Sequence, residues 1–108
     1  MPPHGARETY DLGLIIQQLA QAHQFVVNVL QTPGLAQMID DLRDANYRAS
    51  ISADALTVAR QRGLQIPDSN VAVFIRENLL GWEFEIQAVQ NDKLLILGFN
   101  STRGFYVR

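Results

Sequence analysis

Trp82-Glu83-Phe84-Glu85-Ile86-Gln87-Ala88-Val89-Gln90-Asn91-Asp92-Lys93-Leu94-Leu95-Ile96-Leu97-Gly98-Phe99 is the stretch that decides the fold. Trp82, Phe84, Ile86 and Ala88 alternate with Glu83, Glu85 and Gln87, the two-residue period of a strand with one buried face. A tight turn at Gln90-Asn91-Asp92-Lys93 pairs Val89 with Leu94. That register puts Leu95, Leu97 and Phe99 on the same face as Ala88, Ile86 and Phe84, a continuous apolar surface for other elements to cover. The opposite face holds Glu83, Glu85, Gln87, Leu94, Ile96 and Gly98. Val71–Glu77 before this hairpin and Gly104–Val107 after it extend the pattern to an antiparallel meander of three to four strands. Val71, Phe74, Ile75 and Leu79 also have helical spacing, with Ser69 as a cap, so Val71–Leu80 supports either element.

Upstream of Pro67 the period changes to that of helices and Ala and Gln become frequent. A first helix is expected from Thr9, an N-cap with Asp11 in the first turn, to about Gln31. Thr32-Pro33-Gly34 breaks it and starts a second, with Pro33 at a position where no N–H is missed. Leu35, Met38, Ile39, Leu42 and Ala45 mark the inner face of that helix, while Asp40, Asp41, Arg43 and Asp44 form its solvated side. Ser50-Ile51-Ser52 is the next interruption, with Ser52 capping a short third helix that turns Leu56 and Ala59 inward. Gly63 followed by Leu64 supplies the stop. The expected class is α+β: an N-terminal helical hairpin and a short third helix packed on the C-terminal sheet. One domain spans 1–108, with a flexible lead-in over 1–8, a helical half over 9–66 and a sheet half over 67–108.

The chain has 108 residues, 47% of them hydrophobic, no cysteine and a formal charge of −2. That charge is too balanced for a surface built to hold phosphate backbones, so no nucleic-acid partner is expected. The absence of cysteine removes disulfides, thiolate nucleophiles and Cys-based metal sites, and the cytoplasm is the expected location. Leu12–Leu30 is apolar and uncharged, but Gln17, Gln18, Gln21, His23, Gln24 and Asn28 interrupt it. A membrane span is therefore not expected.

No catalytic constellation emerges, and a non-enzymatic role without cofactor or metal is expected. His4 stands in the lead-in and His23 among apolar positions. Ser50, Ser52, Ser69 and Ser101 have turn or capping contexts rather than that of a nucleophile elbow. Asp40, Asp41 and Asp44 share a helix with Arg43, the pattern of a solvated face rather than a cation site. Glu83 and Glu85 are most simply an exposed sheet face, and no glycine pattern cradles phosphate. Arg60 and Arg62, with Arg48 and Arg76, form at most a local basic patch opposed by the neighbouring aspartates.

Ala59-Arg60-Gln61-Arg62-Gly63-Leu64-Gln65-Ile66-Pro67-Asp68, followed by Val71 and Val73, resembles the leader region of nitrile-hydratase-like natural-product precursors. The likeness covers some 15–20 residues, and a helix stop, turn and strand produce the same letters. The chain departs from that family in continuing through aromatic strands, with no Cys/Ser/Thr-rich core peptide or Gly-Gly processing site.

The first helix carries the strongest functional signal. From Leu12 to Ile39 no Asp, Glu, Lys or Arg occurs, which points to burial on more than one side. Leu12, Ile15, Leu19, Ala22, Val26 and Val29 keep the 3,4 spacing of a helix–helix seam, and Gln17, Gln21, Gln24, Asn28 and Gln31 line an uncharged polar stripe beside it. One reading is a central helix inside the chain's own fold. The other is a homo-oligomer interface through Leu12, Ile15, Gln17, Leu19, Gln21, Gln24, Val26 and Asn28, in a scaffold, adaptor or accessory subunit that contacts a second copy or another protein. A different class of function is an apolar pocket between helices and sheet for a small molecule, lined by His23, Trp82, Phe84 and Phe99.

Overall fold

The computed structural model describes residues 24–108. The start of the first helix at Thr9, the lead-in, and Leu12, Ile15, Gln17, Leu19, Gln21 and His23 lie outside the described residues. Among the described residues four short helices precede the sheet: α1 (Gln24–Leu30), α2 (Pro33–Asp41), α3 (Ala45–Ile51) and α4 (Ala55–Gln61), with a 3-10 turn over Ser52–Asp54. The strands β1 (Val71–Asn78), β2 (Gly81–Gln90), β3 (Lys93–Asn100) and β4 (Gly104–Val107) form one antiparallel meander in the order β1-β2-β3-β4. The class is α+β, with the helices covering one face of the sheet.

The central hairpin has the register its alternation predicts: Ala88 lies opposite Leu95, Ile86 opposite Leu97 and Phe84 opposite Phe99. Asn91 and Asp92 turn the chain with φ of 53° and 61°. Two consecutive positive φ values match the twist of the flanking strands, and Asn and Asp tolerate them. Val71–Asn78 resolves as a strand, because pairing with β2 turns Val73 and Ile75 toward the helices. Its helical alternative would bury Phe74, which is instead exposed on the outer face.

The core joins Phe25, Val26 and Val29 of α1 to Met38, Leu42, Ala55 and Ala59, and these to Val73, Phe84, Ile86, Leu95 and Leu97 of the sheet. Gly63 has φ 86°, where it closes α4. The Gly63 N–H reaches the Arg60 carbonyl, and the Leu64 N–H reaches that of Ala59. Leu64 thereby folds back into the core, as its place after glycine predicts.

The helices between α2 and α4 depart from expectation. The second helix ends at Asp41 rather than running on through Ala45, which is exposed. Asp44 is the N-cap of α3, accepting from the Asn46 N–H at 2.8 Å. Asp41 is not a freely solvated charge either, since it pairs with Arg62 at 2.7 Å. The interruption expected at Ser50-Ile51-Ser52 is present, since α3 ends at Ile51 and a 3-10 turn follows over Ser52–Asp54, but the Ser50 and Ser52 hydroxyls donate backward to the carbonyls of Tyr47 and Ala49. The N-cap of α4 is Asp54, not Ser52. Thr32 precedes Pro33 as expected, but its hydroxyl donates to the Asn28 carbonyl at 2.9 Å and ties α2 to α1.

Arg48 explains why the break after α2 is stable. It is buried, and its guanidinium donates to the carbonyls of Leu42 and Arg43 at 2.8 and 3.2 Å, groups that an ended helix leaves unpaired. The other edge of the same fork binds both carboxylate oxygens of Glu77 at 2.8 Å, and its plane lies over Trp82. One side chain therefore caps α2 and fixes α3 to the end of β1.

Candidate interaction surface

The two faces of the sheet differ in chemistry. On the face away from the helices, Phe74, Glu85, Gly98 and Tyr106 occupy one row across all four strands. Glu85 is only 3% exposed. Its carboxylate accepts from the Tyr106 hydroxyl, from Gln87 at 2.6 Å and from Arg76 at 3.1 Å. Burial pushes this carboxyl up, but the three hydrogen bonds and the Arg76 charge outweigh it and hold it below the usual carboxylate range. The Tyr106 phenol is pushed up to about 12 by burial, with the Glu85 hydrogen bond and charge adding to the shift. An ionised carboxylate with every partner engaged is a poor proton carrier. Glu83 accepts from Asn100 at 2.9 Å, so this pair of glutamates braces the sheet.

On the helix face, the helices stop short of β4. Phe105 and Val107 are 51% and 45% exposed there. Between Phe105 and the α1–α2 junction runs an open groove of about 500 Å3, lined by Leu30, Pro33, Leu35, Ile39, Phe99 and Phe105, with Arg43 as its charged lining residue. Phe99 carries the floor from Trp82, 5.5 Å between ring centroids, to Phe105, 5.0 Å away and edge-on.

The backbone of β4 adds a second property to this groove. The Arg108 N–H donates to the Ile96 carbonyl at 2.9 Å, and its carbonyl accepts from the Ile96 N–H at 3.3 Å. Inward bonding alternates along an antiparallel strand, so Tyr106 and Gly104 also face β3. Phe105 and Val107 consequently turn their N–H and C=O groups to the open edge. Among the described residues no strand pairs with that edge.

Two further apolar features stand apart from the groove. Leu79 and Leu80 form the two-residue turn between β1 and β2, and both are almost wholly exposed. Val89 and Leu94 form an exposed cross-strand pair. The uncovered leucine tip was visible in the sequence as two leucines where turns usually carry Gly, Asn or Asp, a signal that the helical alternative for Val71–Leu80 obscured.

The residues singled out from the sequence separate in space. Trp82 and Phe84 are buried in the core rather than lining the groove, whereas Phe99 is half-buried in its floor. Val26 is 5% exposed and belongs to the chain's own core. Gln24 lies exposed with its amide on Asn28, which is half-buried. The arginines do not assemble into one patch: Arg48 binds Glu77, Arg62 binds Asp41 and Tyr47, and Arg76 binds Glu85. Arg60 donates to the Pro67 carbonyl. Among the described residues, no group of three or more His, Asp or Glu converges as for a metal ion. No helix among them is long and apolar enough to cross a membrane.

Comparison with protein-family models, curated proteins and solved structures finds no match to this chain.

Proposed function

We propose that the chain is a small non-enzymatic protein-interaction module, a scaffold, adaptor or accessory subunit that acts by holding another chain. The observation that carries this reading is the β4 edge, with two residues' backbone groups turned outward beside an apolar groove. An open edge with apolar neighbours is a template for strand addition. Arg76, Glu83, Glu85 and Tyr106 are engaged with one another or with Asn100 in bracing the sheet, which favours binding over chemistry. Self-association belongs to the same proposal, with Leu12, Ile15, Leu19 and the glutamine stripe as its expected interface.

Native mass by light scattering over a concentration series tests self-association. A dimer or larger species supports it, and Leu19→Asp should lower the mass while leaving the circular dichroism spectrum intact. A monomer at every concentration removes it and leaves heterotypic partners.

A second reading is a small-molecule site in the same groove, favoured by its apolar lining and a volume within the range of ligand pockets, about 300–1,000 Å3. Trp82 lies against Phe99, so ligand entry should change its fluorescence. A flat response across a library of apolar small molecules would remove this reading.

A further inference from the structure

We infer that the partner of the β4 edge is an extended peptide segment of acidic and apolar composition, which adds to the sheet antiparallel to β4. This rests on the interaction-module reading and specifies the chemistry of its partner. The sequence from Arg103 to Arg108 is Arg-Gly-Phe-Tyr-Val-Arg, an apolar strand with an exposed cation at each end and no carboxylate within it. Arg43, also exposed, lines the groove and is paired with Asp40 at 3.5 Å, so the charge complementarity rests on the two strand-end arginines. Of the nearest glutamates, Glu85 is buried under Tyr106 and bound to Arg76, while Glu83, which lines one outer-face hollow with Arg103 and Arg108, is held by Asn100.

The register sets the partner's pattern. Residues placed directly opposite Phe105 and Val107 share their face of the sheet, so the first would enter the groove beside Phe105, the second would cover the exposed Val107, and both must be apolar. Their backbone groups would meet the outward N–H and C=O groups of Phe105 and Val107. Residues opposite Arg103 and Arg108 would carry carboxylates, about 17 Å apart at the rise of a strand. A second copy of β4 fits this edge poorly, because antiparallel pairing about Tyr106 would bring the arginines of both copies together. A capped hexapeptide, Glu-Val-Thr-Val-Thr-Glu, satisfies the register, with its valines opposite Phe105 and Val107.

The test is titration of the full-length protein with that hexapeptide, followed by backbone amide NMR. Saturable binding is expected, with the largest shifts at Phe105 and Val107. The peptide with both glutamates replaced by lysine should bind about tenfold more weakly or worse, and the difference should shrink with added salt. N-methylation of the two valine amides should also weaken binding at least about tenfold, since it removes the strand pairing. The double variant R103E/R108E should lose the acidic peptide and gain the lysine one. Because those arginines are exposed, this variant should stay folded, which the amide spectrum checks directly. No binding, equal affinity for the acidic and lysine peptides, or indifference to N-methylation would each overturn the inference. Protection of the Phe105 amide that rises with protein concentration in the absence of peptide would assign the edge to a second copy and overturn it too. An oligomer in light scattering that ignores the peptide would sink the partner chemistry while the interaction-module reading stands.

Discussion

Tyr106 lies across Gly98. A Cβ built on Gly98 would stand 2.1 Å from the Tyr106 Cζ, so the ring occupies the space that any side chain at 98 would need. This lets Tyr106, on β4, reach past β3 and place its hydroxyl on Glu85 of β2. The contact explains how a four-residue edge strand is held at a fixed angle while its other edge stays open.

Gly98→Ala should therefore destabilise the fold by about 1–3 kcal/mol, the usual cost of overpacking. Tyr106 must swing out, so Glu85 loses a partner as well as its cover. Tyr106→Phe keeps the ring and removes only the hydroxyl, and should cost about 1–2 kcal/mol for an under-satisfied buried carboxylate. Combining the two should cost less than their sum, because both act through one contact. Chemical denaturation of the two single variants and the double variant measures this. Full additivity would separate the ring from the hydrogen bond.

The same contact sets two pH limits of opposite sign. Glu85 is held below its unfolded value, so its contribution is present above the ordinary carboxylate range, near pH 4.3, and fades as pH falls through the lower folded value. Tyr106 is raised to about 12, so its contribution is full below the unfolded tyrosine value, near 10, and is lost as pH rises toward the folded one. Spectrophotometric titration should find one of the three tyrosines ionising late, and Tyr106→Phe should abolish that late step. Persistence of the step in the variant would assign it elsewhere.

Arg48 is the other joint with a measurable value. Arg48→Met should cost about 3 kcal/mol, chiefly because the Leu42 and Arg43 carbonyls lose their donor inside the fold. Glu77 has a side chain that is 61% exposed, so Glu77→Gln should cost only about 0.5–1 kcal/mol. Arg48→Lys should recover a minor part, since a lysine cannot bind both carbonyls and a carboxylate fork at once. If Glu77→Gln proved as damaging as Arg48→Met, the ion pair rather than the helix cap would hold α3 in place.

These joints mark where the sequence could be read and where it could not. The β2–β3 hairpin was legible because its alternation and the Asn91-Asp92 turn are local and agree with each other. The stop at Gly63-Leu64 was legible for the same reason. The break at Asp41–Asp44 was not, because charges at 40, 41, 43 and 44 look like one solvated helical face. Their meaning depends on Arg48, whose carboxylate partner lies 29 residues away, and on Arg62, 21 residues from Asp41. Gly104–Val107 could be recognised as the last strand of the meander. The groove beside it could not, since Leu30, Ile39 and Phe99 meet only after the helices settle on the sheet.

The contact between α2 and the end of α4 offers a test of how rigid that settling is. Gly34 packs directly on the Arg62 backbone, where an added Cβ would stand 2.3 Å from the carbonyl oxygen. Gly63, one residue on, has open space around its Cα but φ of 86°. Alanine at 63 should cost about 1 kcal/mol, the strain of the left-handed conformation alone. Alanine at 34 must instead push α2 away from α4, stretching the Asp41–Arg62 pair and the Arg62–Tyr47 bond. Its cost should reach about 3 kcal/mol, the upper end for overpacking. For a domain of this size each kcal/mol lowers Tm by about 4–8 °C, so thermal unfolding should rank Gly34→Ala well below Gly63→Ala. The reverse order would show that α2 and α4 slide apart at little cost, and that the wall α2 gives to the groove beside β4 is deformable rather than fixed.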